Sequence, residues 1–171
     1  TVAAASSDFV KLASVTSSAD TSIEFDGHFT ADYDLYMIRV LNMWASSPGT
    51  DVHFSFRVGD VKQTSLTYSN YCMMYGGSNI CNSGSTAGTP YRVWYGNAIS
   101  YAASAVIWMY DPLSTTSNKM MTYQAGTTDS SGNAYTFFGC TQFKSNSAVS
   151  GFGFDNATLS TADISLYGVK A

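Results

Sequence analysis

Glutamate is nearly missing from this sequence: Glu24 is the only one in 171 residues. Hydrolysis of a glycosidic bond normally takes two carboxylates flanking a cleft. Here the aspartates sit mainly in turn-like segments, so a sugar-processing enzyme ranks last among the readings. Histidine is almost as scarce, with only His28 and His53. His28 lies in "FDGHFTADYD" near Asp26, Asp32 and Asp34, a set of residue types able to ligate a metal. Asp and Gly are also the residues a turn demands, and the turn is the simpler reading. His53 sits between polar neighbours of a strand, beside Ser55 and Arg57. A triad can assemble across a fold, but no GxSxG elbow or other nucleophile motif accompanies it. No catalytic residue, metal or cofactor is expected.

Charge is thin as well. Charged residues make up 12% of the chain, about half the usual share, so Ser, Thr, Asn, Gly and Tyr must finish the surface. The net charge is −4 and no basic run exists, which argues against a nucleic-acid partner. No apolar stretch approaches the roughly 20 residues of a membrane helix, so membrane insertion is not expected. The N-terminal "TVAAASSDFVKLAS" lacks a basic segment followed by a long apolar run, so it does not read as a signal peptide. "GGSNICNSGSTAG" is rich in Gly but has no Lys, and no helical pattern follows, so it is not a phosphate loop. The three cysteines, Cys72, Cys81 and Cys140, are too few and too odd in number for a disulfide framework. Cys72 and Cys81 could pair, although free thiols from a reducing cytoplasm are the plainer expectation. No CxxC spacing suggests zinc.

What the sequence does have is aromatic residues and period-two alternation. Twelve Tyr and ten Phe suit strands. "TSIEFD" (21–26) sets Thr21, Ile23 and Phe25 against Ser22, Glu24 and Asp26. "VHFSFRV" (52–58) sets Val52, Phe54, Phe56 and Val58 against His53, Ser55 and Arg57. "DISLYGV" (163–169) sets Ile164 and Leu166 against Ser165, Tyr167 and Val169. These patterns predict half-buried antiparallel strands. About eight or nine strands separated by Gly, Pro, Asn and Asp turns predict one all-β domain over 1–171, an antiparallel β-sandwich of jelly-roll-like type.

Two runs are apolar on both faces. In "YDLYMIRVLNMW" (33–44), Tyr36, Ile38, Val40 and Trp44 fall on one side, and Leu35, Met37, Leu41 and Met43 on the other. "AVIWMYDP" (105–112) behaves alike. A sandwich strand needs one apolar face, so the second must be covered by a loop or another subunit. Leu35, Met37, Leu41, Met43, Trp108 and Tyr110 are therefore candidates for an oligomer seam. Residues 60–104 break the rhythm and read as a long loop excursion. It carries Tyr68, Tyr71, Tyr75, Tyr91, Trp94 and Tyr95, candidates for a loop that binds glycan or protein. The rival reading is that these rings cap an open end of the sandwich.

The C-terminal "AVSGFGFDNATLSTADISLYGVKA" (148–171) resembles structural proteins of tailed bacteriophages. Many of these end in a Phe-containing strand, a polar turn, then "SLYG", Val or Ile, and Lys. The matching residues are Phe152, Phe154, Asn156, Ser165, Leu166, Tyr167, Gly168, Val169 and Lys170. Residues 15–43, with an I-x-F strand and "YDLY", are similar to the same proteins. The two segments cover about a third of the chain. "STAD" stands where the usual pattern has a Gly before the final strand. The resemblance implies a virion structural protein with a jelly-roll-like domain, often trimeric, and no catalytic residue. The leading expectation is a capsid decoration or cement protein, a homotrimer on the head exterior bound to the major capsid protein or another virion protein. The alternative is a receptor-binding head of a tail fibre or spike, contacting host-surface glycan.

Overall fold

The computed structural model describes residues 8–47, 50, 52–64, 68–75, 91–94, 102–128, 132–155 and 157–170, with side chains except in 68–75 and 91–94. Twelve strands run through them: β1 Phe9–Ser17, β2 Ile23–Asp26, β3 Leu35–Ala45, β4 Val52–Val58, β5 Val61–Lys62, β6 Tyr68–Tyr75, β7 Tyr91–Trp94, β8 Ala103–Tyr110, β9 Lys119–Thr128, β10 Ala134–Phe143, β11 Gly151–Asp155 and β12 Leu159–Val169. Every pairing is antiparallel. Seven strands form one sheet in the order β1-β12-β3-β8-β9-β10-β6. The second sheet runs β2-β11-β4-β5, with β7 also on β4. The chain is an all-β antiparallel sandwich.

The two sheets meet through the alternating apolar positions seen in the sequence. Phe25, Phe152 and Phe54 stack nearly parallel across three neighbouring strands, at 4.8 and 5.6 Å between ring centroids. Phe56 of the second sheet stacks on Phe143 of the first at 5.2 Å, which joins the layers. β12 lies between β1 and β3, with Ala162, Ile164 and Leu166 buried in the core. The C-terminal strand is an interior member of the larger sheet.

Two expectations need correction. The stretch 60–104 is not a plain loop, because it contains β5, β6 and β7. β5 returns from β4 through a two-residue turn at Gly59 and Asp60, with φ of 55° and 63°. That is the backbone twist a tight hairpin needs. β6 pairs with β10 over eight residues, although "YSNYCMMY" carries no clean alternation. The second correction concerns Met43. Asn42 has φ of 51°, and the register of β3 with β8 slips between Val40 and Met43. This bulge reverses the side-chain parity, so Met43 is fully buried in the core and is not a seam residue.

Candidate interaction surface

The outer face of the smaller sheet is ionic, with its cations paired within the sheet. Arg57 on β4 donates through Nε to both carboxylate oxygens of Asp26, at 2.7 and 3.0 Å. Its Nη1 lies 3.1 Å from Glu24, and its Nη2 donates to the Asp60 carbonyl. Asp26 and Glu24 belong to β2, so the guanidinium must cross β11. Gly151 stands in register between Arg57 and Asp26. A Cβ there would come within 2.2 Å of the Phe25 carbonyl and 2.5 Å of Asp26 Oδ1. Glycine is what leaves the passage open. The hydrogen bond to Asp26 raises the guanidinium pKa further. Lys62 pairs with Asp155 at 2.8 Å alongside. Both cations are thus engaged, two against the three carboxylates Glu24, Asp26 and Asp155.

His28 lies in the β2–β3 turn with its ring edge-on to Phe25 at 6.3 Å. Asp26, its neighbour in the sequence, is committed to Arg57. Among the described residues no three His, Cys, Asp or Glu side chains gather in a way that could hold a metal.

Lys119 is the unusual cation. It is fully buried at the start of β9, where Nζ donates to the carbonyls of Ser117 at 2.7 Å and Ser145 at 3.1 Å. Burial lowers its pKa. The ammonium ties two connecting segments together and has no route to solvent.

The outer face of the larger sheet differs in kind. Cross-strand register places Phe9, Val169, Leu35, Tyr110 and Met120 in one unbroken row over five strands. The row is about 19 Å wide at the usual interstrand spacing. Behind it run Lys11, Tyr167, Met37, Trp108 and Thr122 on the same strands. Phe9 is 42%, Tyr110 42% and Met120 40% exposed. Leu41 and Phe138, also well exposed, share this face. Only Val61, among exposed large apolar residues described, lies elsewhere. The Tyr110 hydroxyl bonds Thr122 Oγ1 at 3.1 Å, so its ring lies along the sheet.

Leu35, Met37, Leu41, Trp108 and Tyr110 thus come together on one outer face. Phe9 and Met120 complete the row and were not singled out from the sequence. Met120 carries no usable signal, since the charged Lys119 beside it reads as the outward residue and is in fact buried. Phe9 opens β1 and has no flanking pattern to mark it. Tyr68, Tyr71 and Tyr75 fall on β6, and Tyr91 and Trp94 on β7. Their side chains, all of Tyr95, and a Cys72–Cys81 pairing lie outside the described residues.

No family model matches the chain, and no curated protein matches it. Among solved structures, an aerolysin-like protein from Bombina maxima aligns over 90% of this chain and 91% of its own, at 6% identity and a TM-score of 0.14. That similarity bears on neither fold nor function.

Proposed function

We propose that this chain is a non-enzymatic structural protein of a tailed-bacteriophage virion that decorates the head exterior as a homo-oligomer. The observation that carries the reading is the row of exposed apolar side chains across the outer face of the larger sheet. A monomer seldom leaves such a patch on one face without a partner. On the opposite face the Arg57 and Lys62 cations are already held by carboxylates. The resemblance of 148–171 and 15–43 to phage structural proteins supplies the setting. On this reading the sandwich is jelly-roll-like, and the protein binds the lattice of major capsid subunits. Apolar area buried across neighbouring subunits would oppose the outward pressure of packaged DNA.

Immunogold labelling of intact particles tests the placement. Label spread over heads is expected. Purified protein added to bare heads should then raise their disruption temperature. Label confined to tails or fibres would replace the proposal with host-surface glycan binding by the 60–104 segment.

A further inference from the structure

We infer that the row Phe9–Val169–Leu35–Tyr110–Met120 is a twofold contact with a second copy of this chain, turned about an axis running along the row. The contact names the self-association surface of the proposal above and rests on its homo-oligomer part.

Three observations select a second copy as the occupant. First, the row itself carries no charge, so a copy can meet its own row without opposing like charges. Second, the ground on either side of the row is oppositely charged. Just past the strand ends lie Asp8, Asp34 and Asp111, all exposed, with Lys170 the exposed base among them. Asp111 donates its amide to the Asp34 carbonyl at 2.6 Å, and Lys170 does so to Asp8 at 2.8 Å, which extends the β8–β3 and β12–β1 pairings past the row at this end of the sheet. On the other side of the row, Lys11 and Arg39 project from the outer face and are exposed, with Asp163 on the strand between them held by the Thr16 hydroxyl at 2.9 Å, so that this side is net basic. Rotation by 180° about the row lays the basic side of one copy over the acidic fringe of the other. A closed twofold interface needs this kind of self-complementarity. Third, the apolar side chains of this face account for a substantial part of the area a stable contact needs. Five exposed large side chains on this face, each about 40% open, offer roughly 400 Å² if each spans about 200 Å². That is about half of the roughly 800 Å² each partner gives to a stable interface. The polar fringes would supply the remainder. A sugar ligand is a poorer occupant, because the row has few polar groups to meet hydroxyls. The trimer implied by the phage resemblance would need a second, different contact surface.

Sedimentation equilibrium of the full chain tests the contact. A dimer is expected at micromolar concentration, weakening with added salt. Met120→Lys should raise the dissociation constant at least 100-fold while leaving the far-ultraviolet circular dichroism of the folded chain unchanged, since Met120 is 40% exposed; its melting temperature should fall only by what the lost dimer contributed. Lys11→Glu should weaken the dimer about tenfold, and the double variant K11E/D8K should recover it, because each swapped pair meets again across the axis. A monomer at 100 µM, a trimer indifferent to Met120→Lys, or failure of K11E/D8K to restore association would each overturn the inference. Co-sedimentation with bare heads reads the decoration proposal separately. A dimer that ignores heads sinks that proposal alone, and a monomer that binds heads sinks this one alone.

Discussion

The rings of Phe9 and Trp108 lie 6.2 Å apart at an interplanar angle of 58°, although β12 and β3 separate their strands. Neither side chain stands upright from the sheet. Each leans over the intervening strands, where Val169 and Leu35 lie half-buried beneath them. A row of apolar positions becomes a smooth, partly self-covered platform, which is how an exposed face can be stable before a partner arrives. Phe9→Ala should remove this cover. The expected loss is about 1 kcal/mol, from the ring pair and its small burial. Trp108 fluorescence should shift to the red as water reaches the indole. Unfolding in urea and an emission spectrum check both.

The glycines of the C-terminal third predict a graded series. Gly151→Ala places a methyl 2.2 Å from the Phe25 carbonyl, a backbone atom that cannot step aside. A cost of about 3 kcal/mol or outright misfolding is expected. At Gly168 the obstacle is the Tyr33 ring, 2.6 Å from the new carbon, and a ring can turn. Tyr33 packs edge-on to Tyr36 at 5.9 Å, so Gly168→Ala should cost about 2 kcal/mol through that pair. Gly153→Ala meets the Ile23 carbonyl only at 3.3 Å and should cost about 1 kcal/mol. Melting the three variants side by side checks the order. A Gly153→Ala variant worse than Gly151→Ala would contradict the crossing of Arg57 over β11.

The same geometry decides which parts of the fold are legible in the sequence. β4 alternates cleanly because one side of the strand meets core and the other meets polar groups, and β12 does so through Asp163–Leu166. β6 was hidden because Tyr, Ser, Asn and Met succeed one another without period, and its pairing with β10 is a long-range fact. The apolar outer face is legible in Leu35, Met37, Trp108 and Tyr110, where both faces of a strand are apolar. The pattern fails at Met43 because a bulge inverts everything after it, and only the tolerance of Asn42 for positive φ hints at one. The Arg57 crossing was not legible at all. It needs the strand order β2-β11-β4, which joins residues 31 positions apart through a third strand.

Lys119 makes a prediction about alkaline pH. Burial lowers its folded-state pKa from the ordinary 10.5. Between the lowered value and 10.5 the unfolded chain binds more protons than the folded one, so stability from this group rises with pH. Below the lowered value the cost of the buried charge is present in full. Tyr36 acts in the opposite sense, because burial raises its pKa from 10.0 and its contribution falls only above that pH. The rise is therefore cleanest below pH 10. Urea unfolding of the parent and Lys119→Met from pH 7 upward should show the parent gaining on the variant. Parallel pH profiles would refute the assignment.

Deleting the end of β12 tests its place in the core. A chain ending at Thr161 loses Ala162, Ile164 and Leu166, all buried. Burial of Ile and Leu alone is worth about 1.5–3 kcal/mol each. The deletion also leaves β1 and β3 without the strand that joins them, so their backbone donors and acceptors on that side go unpaired. Against a total stability of roughly 5–15 kcal/mol, these losses should abolish a cooperative melt. Leu166→Ala is the milder form of the experiment. It keeps every backbone hydrogen bond and removes only packing, at an expected cost of about 3 kcal/mol. If Leu166→Ala melts lower but cooperatively while the truncated chain does not melt at all, the strand contributes through both packing and pairing. A cooperative melt from the truncated chain would mean that β1 and β3 can close on each other without it.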